Sequence, residues 1–250
     1  MFINSFGDKK DPAVVLLPPM MISGSYAYET AAPYFKGRYF IIAPDHGGHG
    51  QSERYTNVHD EYRVLKQFLM DNSIETVSLV AGFSLGAPIA YKLYIDNDFS
   101  VRKAWFDGLM FTDNPGLAEF LMRQRCHGRK SRLEKAGTSA MVSELDSKYG
   151  KGRGDVMTSN LARMTNIDID NMVYAYCHCD VRLFPEKKQD MIHLDYGDKD
   201  PALSASKKFM KKYMPEVKPT VRSGFGSLGY LSENTGDYIK EMEEYAFVNV

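Results

Sequence analysis

The chain has 250 residues, 44% of them hydrophobic and 25% charged, with a net charge of -1. That length suits one large α/β domain ahead of two small ones, and the charge balance lacks the basic excess that nucleic acid demands or the charged tail that a membrane surface attracts. Met1 to Asp8 has no basic run leading into an apolar one, no stretch reaches membrane-spanning length, and the three cysteines suit a reducing setting, so a cytoplasmic protein without a secretory leader is expected.

In chain order, the first clear strand is Ala13-Val14-Val15-Leu16-Leu17, stopped by Pro18-Pro19. A helix is expected from Tyr26 to Phe35, then a strand from Tyr39 to Ala43 ended by Pro44. These strands are continuous apolar runs, the pattern of strands covered on both faces of a parallel sheet. Asn57 to Met70 reads as a helix, with Val64, Leu65, Phe68 and Leu69 on one side.

Thr76 to Ala81 is β-branched and apolar, and it runs directly into Gly82-Phe83-Ser84-Leu85-Gly86. A G-x-S-x-G between a strand and a helix builds a sharp turn that holds the serine hydroxyl out into a pocket. The flanking glycines are needed because the serine backbone is strained and its neighbours must lack bulk. Ala87 to Tyr94 continues as the helix, and Pro88 is tolerated there because first-turn N–H groups have no intrahelical partner.

Val101 to Phe111 is expected as the next strand. From about Asn114 to Leu183 charges increase and strand character falls, which suggests an inserted helical cap with helical pieces at Gly116–Arg123 and Asn171–Cys179. Cys177-His178-Cys179 lacks the spacing of a zinc site, so half-buried thiols are expected there. Met191 to Tyr196 resumes the strands, Ala202 to Met214 is a helix, Val217 to Arg222 the last strand, and Thr235 to Ala246 the last helix. Alternating strands and helices imply a mostly parallel central sheet flanked by helices.

Taken together, these features resemble the α/β-hydrolase superfamily across nearly the whole chain, residues 1–250 as one domain with the cap inserted. Pro44-Asp45-His46-Gly47-Gly48-His49-Gly50-Gln51-Ser52 is similar to the family's loop after its second parallel strand. Gly197-Asp198-Lys199-Asp200-Pro201 is similar to the family's acid-bearing G-x-x-D. The resemblance implies Ser84 as nucleophile, forming an acyl-enzyme with a carboxylic ester or related small-molecule acyl substrate. It implies backbone N–H groups of Met20 and Leu85 as an oxyanion hole, where each donor is worth on the order of 10²–10³ in rate. Asp200 fits the acid's spacing, with Asp198 and Asp195 as competitors. No metal or organic cofactor is implied, and the oligomeric state is not indicated.

One position departs from the family. The glycine-rich loop after the last strand, Arg222 to Leu231, carries Ser227 where the resemblance implies the catalytic histidine, and no histidine follows His193. Serine is no general base near neutral pH, whereas imidazole is. In well-studied triads, losing the histidine costs on the order of 10⁶ in turnover and leaves about 10³–10⁴ over water. An introduced histidine-to-serine change, a natural loss of the base, or slower chemistry with a water or cap residue would each account for it. Of the remaining histidines, His46 and His49 belong to the loop, His59 opens a helix, His193 reads as a packed core residue, and His127 and His178 fall in the cap. His178 is the best substitute base.

A pocket lined by Asp113, Asn114, Phe111, Leu117, Phe120, Leu121, Met122, Tyr174 and Tyr176 is expected, unless these residues only pack the cap on the core. A dehalogenase or epoxide hydrolase is disfavoured, because such relatives carry aspartate at position 84. A non-catalytic binding or sensor protein on the same fold is the alternative to an impaired hydrolase.

Overall fold

A computed structural model describes residues 1–179 and 186–247. Seven strands form one sheet: β1 (Phe2–Phe6), β2 (Ala13–Leu17), β3 (Phe40–Asp45), β4 (Thr76–Phe83), β5 (Ser100–Asp107), β6 (Ile192–Gly197) and β7 (Thr220–Arg222). Their order is β1-β3-β2-β4-β5-β6-β7, and every pairing is parallel except β1 with β3. The edge strand β1 is not expected from the sequence, because its five residues are mostly half-exposed and polar at Asn4 and Ser5. Pro44 does not end β3. It pairs with Ile3 of β1 and lies beyond the last β2–β3 pair, at Ile42, so its missing N–H removes no bond to β2.

Alternate residues of each strand feed two cores. Val14 and Leu16 pack with Ile41, Ala43, Tyr238, Ile239 and Met242 on one face. Val15 and Leu17 pack with Ile42, Leu65, Leu69, Ile89 and Leu93 on the other. The first face is covered by α1 (Gly24–Ala31) and α10 (Thr235–Phe247), the second by α2 (Val58–Asp71), α3 (Ala87–Ile95) and α8 (Pro201–Tyr213). Asn57 caps α2 through the Asp60 N–H at 2.9 Å, satisfying a donor the helix leaves open.

Trp105 on β5 is the single tryptophan and is 1% exposed. Its Nε1 donates to the Tyr238 hydroxyl at 2.6 Å, and its ring stacks on His193 with centroids 3.6 Å apart. His193 is therefore a half-buried stacking partner and not a core residue.

The strand expected to reach Phe111 ends at Asp107, because Gly108 turns at φ +67°. The apolar residues that follow are buried as a loop whose polar groups find side-chain partners. Tyr176 and Tyr196 hydroxyls donate to the Gly108 and Leu109 carbonyls at 2.6 Å each, and the Phe111 N–H donates to Ser206 at 2.9 Å. Among the described residues between β5 and β6 stand four α-helices, α4 (Gly116–Ala136), α5 (Thr138–Tyr149), α6 (Gly154–Arg163) and α7 (Asn166–Cys177). Both helical pieces expected there lie within α4 and α7, except that α7 stops at Cys177. The boundary expected at Leu183 lies outside the described residues.

Asp168, at the start of α7, ties this insertion to the body. It accepts the Tyr55 N–H and an Arg54 Nη1 at 3.0 Å each, and closes a capping box with Thr165. Two elements complete the chain order: the short α9 (Gly229–Glu233) after β7, and then α10.

Candidate active site

The parallel strands end on one edge of the sheet, and the chain order reverses between β2 and β4. Ligands bind in the crevice outside such a reversal. Register places Leu17 beside Gly82, so the Pro18–Met20 loop after β2 and the Ser84 turn after β4 leave the sheet side by side.

Ser84 has φ +47°, a left-handed conformation that costs a residue with a Cβ about 1–3 kcal/mol. The glycines explain how the turn tolerates it. A methyl at Gly82 would lie 2.6 Å from both Ala87 Cα and Ala90 Cβ, and one at Gly86 would fall on the Leu17 carbonyl oxygen. The close packing of α3 on β4 and β2 thus requires both glycines.

The loop bearing Met20 is clamped from the other side by the histidine-containing loop. His46 Nε2 lies 2.9 Å from the Pro18 carbonyl oxygen. The Met21 N–H, at φ +73°, donates to His49 Nε2 at 2.7 Å, and His49 Nδ1 faces the Gly47 carbonyl at 3.0 Å. Asn160 Nδ2 donates to the Met21 carbonyl at 2.9 Å, so α6 joins the clamp. Burial, with a smaller contribution from His46, lowers the His49 pKa to about 3. The ring is neutral, carrying its proton on Nδ1 and accepting at Nε2. Met21 spends its N–H on His49; Met20 lies just before it on the pocket wall, and Leu85 sits in the first turn after β4, where N–H groups have no intrahelical partner.

Asp200 caps α8 through the Ala202 N–H at 2.9 Å and accepts the Ser227 hydroxyl at 2.7 Å, both on Oδ1. Its Oδ2 is buried without a partner. Burial raises its pKa, against the opposing Ser227 hydrogen bond. The competing acids are committed elsewhere. Asp195 is buried and binds Arg222 at 2.7 Å and 3.0 Å. Asp198 is exposed and accepts the Gly224 N–H at 3.0 Å.

Ser84, Ser227 and Met20 line one cavity of about 230 Å³. The rest of its wall is largely apolar, including Met21, Ile22, Phe83, Met157, Leu228 and Met242. The wall expected from the sequence is mostly different. Only Met122 of that set lines the cavity. Leu117, Phe120, Leu121 and Tyr174 are more than half exposed on the outside of the insertion, Phe111 and Tyr176 are buried in the core, and Asp113 and Asn114 are exposed.

None of the six histidines lines the cavity. His178, the best substitute on sequence grounds, instead binds Glu119 at 2.7 Å and stacks on Tyr174. His127 faces Asp170 at 2.8 Å, and His59 is exposed on α2.

Three arginines, Arg125, Arg129 and Arg153, do line it, and the sequence reading missed them. The signal was present: Met122, Cys126, Arg129 and Leu133 recur at helical spacing, placing Arg129 on the inward stripe of α4.

A family model described as an alpha/beta hydrolase fold matches residues 12–127. Among solved structures, MenH from S. aureus is 14% identical with a TM-score of 0.70, covering 98% of this chain and 97% of that one. A hydrolase from Pseudomonas aeruginosa PA01 is 9% identical with a TM-score of 0.73, covering 99% and 94%. An esterase from Exiguobacterium antarcticum is 14% identical with a TM-score of 0.71, covering 98% and 94%. At these identities the likeness is one of fold. No curated protein matches the sequence.

Proposed function

We propose that this chain, which has the α/β-hydrolase fold, is a serine acyl hydrolase whose turnover is limited by the absence of an imidazole base. The observation that carries this reading is Ser84, held at φ +47° on the wall of the same cavity that the Asp200–Ser227 pair reaches. Strain of this kind gathers at functional sites, and of the two left-handed serines among the described residues, Ser73 and Ser84, only Ser84 lines the cavity.

In this reading Ser84 Oγ attacks the acyl carbonyl, and the developing oxyanion is met by the Met20 and Leu85 N–H groups. The proton leaving Ser84 is the weak point. In place of a ring nitrogen, Ser227 offers a hydroxyl whose own proton is directed to Asp200, so the proton must pass to water. The four-helix insertion acts as a cap, with α4, α5 and α6 contributing Met122, Tyr149 and Met157 to the cavity wall.

Labelling by a fluorophosphonate probe, with p-nitrophenyl ester turnover, tests the proposal. Weak labelling is expected, lost in Ser84→Ala and raised by at least about 10² in Ser227→His. Absence of both labelling and turnover in Ser227→His refutes it. That outcome would favour a second reading, a non-catalytic binding protein, which the absence of any histidine from the cavity wall supports.

A further inference from the structure

Arg129, on α4, is 7% exposed, yet no carboxylate among the described residues lies within ion-pair distance of it. Its Nε is buried without a hydrogen-bond partner, and its Nη1 approaches only the Met21 sulfur, at 3.9 Å. Glu144 senses its charge, but both Glu144 oxygens are held by Arg132, at 2.9 Å and 3.2 Å. A guanidinium buried without a counter-charge is costly unless something supplies one.

The cavity wall explains where that charge would come from. Arg129 lines the cavity, and no aspartate or glutamate does. The other two arginines differ from it. Arg153 is engaged by the Tyr149 carbonyl, the Ser232 carbonyl at 2.6 Å and the Thr235 hydroxyl at 3.2 Å. Arg125 is exposed. Arg129 alone is both buried and open to a new partner.

We propose that this cavity binds a ligand with an apolar body and a carboxylate, and that Arg129 pairs with the carboxylate. The planar guanidinium fork matches a carboxylate in two parallel hydrogen bonds, and the methionine-rich wall adapts to an apolar body. Resting on the reading of this cavity as the acyl site, the pairing makes the substrate an acyl compound that carries a second, free carboxylate.

Calorimetric titration with 4-phenylbutyrate and with its neutral amide, 4-phenylbutanamide, tests the pairing. The unmutated protein is expected to bind the carboxylate at least about tenfold more tightly than the amide. Arg129→Met is expected to bring the ratio below about twofold, and Arg129→Lys to retain part of it. Equal affinities in the unmutated protein, or no binding of either probe, overturn the proposal without any variant having to fold. A ratio that survives in Arg129→Met also overturns it. Fluorophosphonate labelling of Ser84 is read separately. Labelling with no carboxylate preference leaves the hydrolase reading standing and removes this one, and the reverse result does the opposite.

Discussion

The Met21 N–H donates to Nε2 of the buried, neutral His49 at 2.7 Å, and through this bond the loop after β3 sets the path of the loop that carries Met20. The histidine at position 49 is thus a fastener for the Met20 loop. Its pKa is lowered from 6.5 to about 3, chiefly by burial.

The sign of the resulting pH dependence follows. Between pH 3 and 6.5 the unfolded chain binds a proton at His49 that the folded chain refuses, so stability is full above the upper value and declines as pH falls toward the lower one. In His49→Gln, which keeps an acceptor for Met21, urea unfolding across this range should show a flatter decline. A slope equal to that of the unmutated protein would remove His49 as its source.

Asp107 should act with the opposite sign. Burial raises its pKa well above 3.8, with Asp195 adding to the rise, although the Tyr238 hydroxyl donates to it at 2.9 Å. The folded state therefore holds a proton there more tightly than the unfolded chain. That contribution is fully present below pH 3.8 and is lost as pH rises through the raised value. Asp107→Asn keeps the Tyr238 contact without the charge. It is expected to be as stable as the parent or more so at pH 7, with the gap closing as pH is lowered toward 4 in the same unfolding series.

The two turn glycines should be far less replaceable than a third one close by. Gly86→Ala drives a methyl onto the Leu17 carbonyl, and Gly82→Ala onto Ala87 and Ala90. Each is expected to cost about 3 kcal/mol or more, since the obstacles are backbone and a neighbouring Cβ. A Cβ at Gly226 meets nothing within 4 Å, and Gly226→Ala should stay within about 1 kcal/mol of the parent. Denaturant midpoints for the three variants decide it, and similar midpoints would contradict the steric account.

Added imidazole should speed fluorophosphonate labelling of Ser84 if the missing ring is what limits it. Ser227 and Ser84 line the same cavity, which is where an added imidazole would have to sit. The acceleration should be large in the unmutated protein and in Ser227→Gly, and slight in Ser227→His, which carries its own base. Equal acceleration of all three would point to bulk buffer catalysis.

The parts of the fold legible in the sequence were those with unbroken apolar runs. β2, β3 and β4 are buried from end to end, or nearly so, and such runs read plainly as central strands. The Ser84 turn was legible because its sterics demand glycine at two fixed offsets. β1 was not, because an edge strand of five exposed or half-exposed residues carries no distinct pattern. The Leu109–Phe111 segment read as strand because it is apolar. Its backbone is instead satisfied by Tyr176, Tyr196 and Ser206, all distant in sequence. The cavity wall was misassigned for a related reason. Aromatic and aliphatic residues on α4 and α7 gave no sign of facing outward, and the arginine on the inward stripe of α4 did not stand out among the insertion's many charges.

The single indole at Trp105 lies in the middle of the sheet and is absent from the cavity wall. Its emission is accordingly a one-site optical gauge of the folded state. Because its surroundings change only when the β5 neighbourhood opens, fluorescence can follow denaturation while calorimetry follows occupancy, and the two signals stay separable in one sample.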